Sequence, residues 1–195
     1  MSILDFKANF TGGGARPNQF RVELSFPAIV TGTGDVARKA QFLCFSTTLP
    51  GSQLGIAMAN YRGREVPLAG ERTFNPWSIN VYNDTDFSIR DAFENWMGKI
   101  NDVKENTGVT NPMLYTSQLT VKQLDRNNAT IKTYTIYDAW PTNIGEIQLD
   151  FGANTQLESF PVQFVYTHWT TETSSGSVGG SVGINTPFGS IGATI

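Results

Sequence analysis

The residues able to do chemistry are few and scattered. His168 is the single histidine and Cys44 the single cysteine of the 195-residue chain. A nucleophile and base pair would have to join His168 to a distant partner, and no Gly-x-Ser-x-Gly turn or cysteine-enzyme signature accompanies it. His168 stands next to last in the stretch "FPVQFVYTHW", in phase with Phe160, Val162, Phe164 and Tyr166, so it reads as a packed histidine with one ring nitrogen satisfied. One cysteine forms no internal disulfide, and with one distant histidine it makes a poor zinc site.

The acidic groups offer a second possibility. Asp84, Asp86, Asp91 and Glu94 lie close enough in sequence to seed a calcium site or an acid/base pair. They precede and enter a helix, however, where capping and the helix dipole account for them. "GTGDVA" at 32–37 has Gly-x-Gly but neither a third glycine nor a strand-to-helix setting, so it is no dinucleotide loop. Arg62, Arg64 and Arg72 form a small basic cluster, which suits a solvated strand edge or a surface that mates with an acidic neighbour. No catalytic, cofactor or metal site is assigned.

Composition narrows the function classes. Thirteen Phe, 6 Tyr and 4 Trp stand beside a charged fraction of only 16%, against roughly 25% for an average soluble chain. Either the core is rich or partners cover apolar surface. The net charge of −3 argues against a protein that grips nucleic acid, because phosphate neutralisation needs clustered Lys and Arg. No apolar run reaches the ~18 residues of a membrane span, and "MSILDFKANFTGGG" lacks the build of a signal peptide. A soluble, cytoplasmic protein with no membrane insertion is expected.

The elements follow from periodicity. "QFRVELSF" alternates Phe20, Val22, Leu24 and Phe26 with polar residues, the clearest strand in the chain. "ARKAQFLCFSTTLPG" reads as a second strand ending at Pro50-Gly51, and residues 61–69 as a short strand with Pro67 near its end, hence an edge or a bend. Trp77, Ile79 and Val81 make the next apolar face. Ile89, Phe93, Trp96, Met97 and Ile100 then form a helical stripe, with Ser88 and Asp91 as a candidate capping box, Thr85 or Asp86 as rival N-caps, and Gly98 as a stop. "LYTSQLTVKQLD", "RNNA" and "TIKTYTIYDAW" read as a hairpin. "PTNIGEIQLDF" sets Ile147, Leu149 and Phe151 opposite Glu146, Gln148 and Asp150, and "FPVQFVYTHW" is the last strand. The fold class is mainly β: packed antiparallel sheets in a sandwich or barrel, with one flanking helix over about 86–98. Three regions are expected: a Gly-rich arm at 1–18, a β domain at 19–169, and a Gly/Ser-rich extension at 170–195.

"ARPNQFRVEL", "AGERTFNPWSINVYND" and "WPTNIGEIQLDFGANTQLESFPVQFVYTHW", with "FLCFSTTLPG" between the first two, span residues 15–169. In order and spacing they resemble the tail tube family of T4-like contractile-tailed bacteriophages. The resemblance implies six copies in a ring whose inner wall is a continuous β-barrel, and rings stacked into a hollow tube. It further implies a virion protein assembled in the host cytoplasm, which conducts DNA through its lumen without specific binding. Sheath, baseplate, tape measure and tail terminator proteins are the implied partners. Hcp-like tubes of type VI secretion and bacteriocin-like tubes share that architecture.

The T4-like pattern ends soon after the position of Trp169, so the extension from 170 is additional. Val178, Val182, Ile184, Phe188 and Ile191 are expected to dock on a neighbouring subunit. Glu146, Gln148, Asp150, Lys122, Gln123, Arg62 and Arg64 are candidates for the lumen or the joints between subunits, and a bore that is negative or near neutral is expected. The competing readings are the tube of a related injection system, a monomeric barrel that binds an apolar ligand, and an enzyme of unrecognised type.

Overall fold

The computed structural model describes residues 2–9, 14–153 and 155–173. In chain order the elements are α1 (Ile3–Asn9), β1 (Phe20–Glu23), α2 (Gly34–Leu43), β2 (Cys44–Thr47), β3 (Ser52–Tyr61) and β4 (Arg64–Phe74). There follow β5 (Trp77–Tyr82), α3 (Ser88–Ile100), α4 (Pro112–Tyr115), β6 (Ser117–Leu124), β7 (Thr130–Ile144), β8 (Ser159–Val165) and β9 (His168–Thr173). The sheet order is β1-β6-β7-β8-β5-β2, with β9 also on β7 and every pairing antiparallel. β3 and β4 make a separate two-stranded hairpin.

β7 is the spine of the fold. Its first half pairs with β6 and β9 and its second half with β8, and the change falls at Asp138, whose φ of 54° is left-handed. Here the register with β6 shifts between Ser117 and Leu119, which pair with Ala139 and Ile136, so β7 holds one residue more than its partner, as expected of a bulge that bends a strand and lets one sheet curl over a core. β1, β2 and β9 each keep one edge without a strand among the described residues. One chain therefore does not close a barrel by itself.

Period two decides which side chains enter the core. Trp77, Ile79 and Val81 of β5, Phe160, Val162 and Phe164 of β8, Leu119 and Val121 of β6, and Ile136 of β7 all point inward and are buried. α3 lies across them. Ile89, Phe93 and Trp96 are buried, with Phe93 5.9 Å from Phe164 between ring centroids, while Asp91, Glu94, Asn95 and Lys99 stay outside. Each such large apolar side chain contributes about 1.5–3 kcal/mol through removal from water. The Trp96 indole N–H donates to the Tyr115 carbonyl at 2.7 Å, which satisfies its one polar atom and fixes α4.

Several sequence expectations give way to the structure. Residues 34–43 are helical, because Val36, Ala40 and Leu43 face the core at i, i+4 and i+7, and only Cys44–Thr47 extends as a strand. The arm contains the helix α1, whose first turn is closed by Ser2 and Asp5: the Ser2 N–H donates to Asp5 at 3.0 Å, and Leu4 N–H to the Ser2 hydroxyl at 3.2 Å. α3 passes Gly98 and ends at Ile100. Its start is set by Phe87 in a left-handed conformation, with the Asp86 carboxylate accepting the Ser88 N–H at 3.2 Å, in place of a box from Ser88 to Asp91. Helices therefore flank the sheet at several places, where the sequence had suggested one.

Two further differences concern candidate residues. Residues 145–153 form a loop, not a strand, and leave Leu149 and Phe151 exposed. His168 is not packed inward. The strand direction kinks at Thr167, whose N–H donates to the Tyr137 carbonyl at 3.1 Å, so the alternation slips by one residue. Trp169 then faces the core, and His168 stacks outside on Tyr137, with centroids 4.7 Å apart and planes 8° from parallel.

Candidate assembly interface

The β3–β4 hairpin dominates the surface. At about 3.4 Å per residue its strands of ten and eleven residues reach some 34 Å or more. Their turn uses Arg62 at φ 49° and Gly63 at φ 82°, the two successive positive angles that join antiparallel strands with matching twist. No residue of either strand is buried. Ile56 stands 73% exposed, and Leu54, Met58 and Leu68 are each 54% exposed.

Register shows that both faces of the hairpin are apolar. Ile56 pairs with Ala69 and Met58 with Pro67 on one face, while Ala57 pairs with Leu68 and Ala59 with Val66 on the other. An isolated two-stranded hairpin is marginal in water, and an apolar ladder with open edges invites pairing. Such an element gains stability by lying between other surfaces.

The root of the hairpin is held firmly. The Trp77 indole N–H donates to Thr48 O at 2.7 Å, the Trp169 indole N–H to Gly51 O at 3.3 Å, and Phe74 packs on Tyr166 with centroids 5.8 Å apart. The arm therefore projects in a set direction from one end of the sheet.

At the other end lies the 145–153 loop. Its entrance is fixed by Arg90 of α3, whose guanidinium donates to Gly145 O at 3.2 Å and to Glu94 at 2.7 Å while lying over the Phe160 ring. The return into β8 is fixed by Asn83, which donates from its backbone to Glu158 O at 2.8 Å and from its side chain to the Glu158 carboxylate at 3.0 Å. Between these clamps Glu146, Gln148, Leu149, Asp150 and Phe151 face outward.

The other candidates separate clearly. Arg62 and Arg64 flank the hairpin tip, Arg62 lying 5.5 Å from the Tyr61 ring centroid. Lys122 sits on the outer face of β6 and is paired with Glu23 of β1 at 2.7 Å. Gln123 is turned to the start of β1, donating to Arg16 O at 2.8 Å and Gln19 O at 2.7 Å. The structure thus brings Glu146, Gln148 and Asp150 together on one loop and places Arg62 and Arg64 on the hairpin, which is rooted at the other end of the strands. Val178, Val182, Ile184, Phe188 and Ile191 lie outside the described residues.

The carboxylates before α3 have a structural task. Lys39 of α2 donates to Asp84 at 3.0 Å, to Asp86, and to the Ser88 hydroxyl at 3.4 Å. Its ammonium, with the Ser88 N–H, holds the Asp86 carboxyl down at about 2, and Lys39 with the Thr85 N–H lowers that of Asp84. Burial pushes the Cys44 thiol up to about 12, far from a nucleophile's range. Among the described residues no cluster of three His, Cys, Asp or Glu could hold a metal ion.

Comparison with known proteins places this architecture. A family model described as "Phage tail tube protein" matches residues 15–172. The tail tube protein gp19 of Enterobacteria phage T4 is 32% identical over 164 residues, covering 82% of this chain and 93% of the relative. The chain belongs to the phage tail tube protein family. The tail tube protein of Serratia phage KSP90 is 31% identical over 167 residues, covering 85% of this chain and 94% of that one. The fold is shared with a chain of the anti-feeding prophage baseplate at a TM-score of 0.59 and 14% identity, covering 83% of this chain and 97% of that one. The tube family match reaches into β9 and includes the whole hairpin and the 145–153 loop.

The long β3 strand is what sequence reasoning missed. Leu54, Ile56 and Met58 alternate directly after Pro50-Gly51, and Arg62-Gly63 supplies the turn. The signal was there, but without any buried partner it did not point to a core.

Proposed function

We propose that this chain is the structural subunit of a hollow phage tail tube. Six copies close into a ring by pairing the free edges of β1, β2 and β9 with neighbours, which removes the open edges that a single chain leaves. Rings then stack through the hairpins into a tube that lies inside a contractile sheath and conducts DNA. The observation that carries the reading is the rigidly rooted, wholly unburied β3–β4 hairpin in a chain of this family.

The outer face of the sheet suits a bore. Thr120, Thr133, Thr135 and Thr170 line it by register, and the Lys122 ammonium is neutralised by Glu23. A polar wall with balanced charge lets a polyanion pass without the counterion-releasing contacts that would hold it. Sheath, baseplate, tape measure and tail terminator proteins are the partners this role requires, and the protein is a virion component assembled in the host cytoplasm. The role proposed is structural and assigns no chemical step to Cys44, which is buried, or to His168, which stacks on Tyr137.

A second reading is the tube of a related contractile injection system, favoured by the fold shared with the anti-feeding prophage chain. Sedimentation velocity over a concentration series tests the assembly common to both. Species at six-fold multiples of the 21.4 kDa chain are expected. A single monomeric boundary at every concentration would contradict it. Particles that carry DNA then separate the phage tail from an injection tube.

A further inference from the structure

We infer that the C-terminal segment 174–195 of one copy covers the N-terminal helix α1 of the next copy in the same ring. This rests on the tube reading and gives a task to a segment that follows the family match, which ends at residue 172.

The sheet brings the two segments together. β1, β6, the first half of β7 and β9 are neighbours in that order, and one row of paired residues crosses all four: Phe20, Gln123, Lys132 and Thr173. Phe20 is the first residue of β1 and Thr173 the last of β9. The chain therefore enters and leaves this sheet at one end, but at opposite edges. Successive antiparallel pairings also leave β1 and β9 antiparallel, so a ring that sets β9 of one copy beside β1 of the next continues the ladder. In that ring the segment after Thr173 starts one strand spacing, about 5 Å, from the next copy's Phe20, and three spacings, about 14 Å, from its own.

α1 is a surface in want of a cover. None of its residues is buried, and Ile3 and Leu4 stand 75% and 73% exposed. Its tether is short, because the Gln123 side chain holds Arg16 O at 2.8 Å, and the stretch from there back to Asn9 spans at most about 24 Å. Residues 174–195 carry no charged side chain and set Val178, Val182, Ile184, Phe188 and Ile191 among Gly, Ser and Thr. Val178 lies within about 17 Å of Thr173 along an extended chain, and Val182 within about 31 Å. Ile3 and Leu4 thus meet an uncharged, apolar-spaced strand of chain that buries them without desolvating a charge. The contact is heterologous and closes within one ring, so it braces neighbours side by side and adds nothing to the stack.

Two measurements on the full chain test the contact. Leu4→Cys should react freely with iodoacetamide in unassembled protein and about tenfold more slowly in assembled rings, while the buried Cys44 stays unlabelled. Adding Val182→Asp and Ile184→Asp should restore the fast rate; if the aspartates prevent rings, the second measurement decides. Leu4→Cys combined with Val182→Cys should give, on oxidation of assembled protein, a covalent ladder that stops at six copies. Equal labelling before and after assembly overturns the contact. So does a link confined to single chains, which seats the segment on its own α1, a ladder that continues beyond six, which seats it in the adjacent ring, or no link at all. Each of these leaves the tube reading intact. Failure of the unmodified chain to form rings overturns both.

Discussion

Gly70 lies against Gly55 across the hairpin so closely that a Cβ on Gly70 would stand 3.0 Å from both the carbonyl carbon and the carbonyl oxygen of Gly55. The approach coincides with a register shift between Leu54 and Ile56, so the arm carries a bulge at the point where these backbones meet. A bulge there re-aims everything beyond it, including Ile56, Met58 and the arginine tip.

Gly70→Val should therefore harm assembly more than folding. A branched side chain must push the strands apart at the bulge, but apart from Phe74 at its root the hairpin packs nothing against the buried core. Stability in urea should change by less than about 1 kcal/mol, while filament yield falls severalfold. Equal assembly by sedimentation would show that the aim of the arm is unimportant.

The core prediction has the opposite signature. Phe164 is fully buried and meets Trp77, Phe93 and Trp96 through its ring, linking β5 and α3. Phe164→Ala should cost about 3–5 kcal/mol by equilibrium unfolding, from lost burial and the cavity left behind. A loss below about 1 kcal/mol would mean that the helix does not depend on this face.

Legibility followed burial. β5, β6, β7, β8 and α3 each bury one apolar stripe, so Trp77-Ile79-Val81, Phe160-Val162-Phe164 and Ile89-Phe93-Trp96 revealed both element and orientation. α2 was misread because Val36 and Ala40 bury little apolar volume, and the neighbouring "FLCFS" run suits either period. The alternation of Ile147, Leu149 and Phe151 has no strand to pair with; as a loop it keeps Leu149 and Phe151 for the outside. The same holds for Leu54, Ile56 and Met58, whose pattern is real but which find no covering surface among the described residues. His168 was misplaced by a kink at Thr167 that depends on β7 bending at Asp138, a tertiary event with no local signature.

The Lys39 bridge should appear in the acid limb of stability. Asp86 titrates at about 2 in the fold against 3.8 for the free group, and Asp84 is lowered in the same direction. A depressed carboxylate stabilises the fold above its unfolded value, and that contribution is lost as pH falls from about 4 toward 2. Lys39 is shifted upward from 10.5, so its share is present below that value and disappears as pH rises through the folded one. Lys39→Met should flatten both limbs when the melting temperature is followed against pH. Identical profiles for the two proteins would show that this exposed bridge is fully screened.

Cys44 should be silent while the protein is folded. A buried thiol that titrates at about 12 presents almost no thiolate at pH 8. Iodoacetamide should leave the native protein unlabelled over hours and modify it completely in urea. Rapid native labelling would mean that the junction between α2 and β2 opens readily.

The central claim is that this chain builds a hollow tube from itself, and electron microscopy of the purified full-length protein over a rising concentration series tests it most directly. The account predicts rings that give way to hollow filaments of constant diameter as concentration increases. Uniform single-chain particles at the highest concentration, even after a preformed tube end is added as a seed, would contradict it.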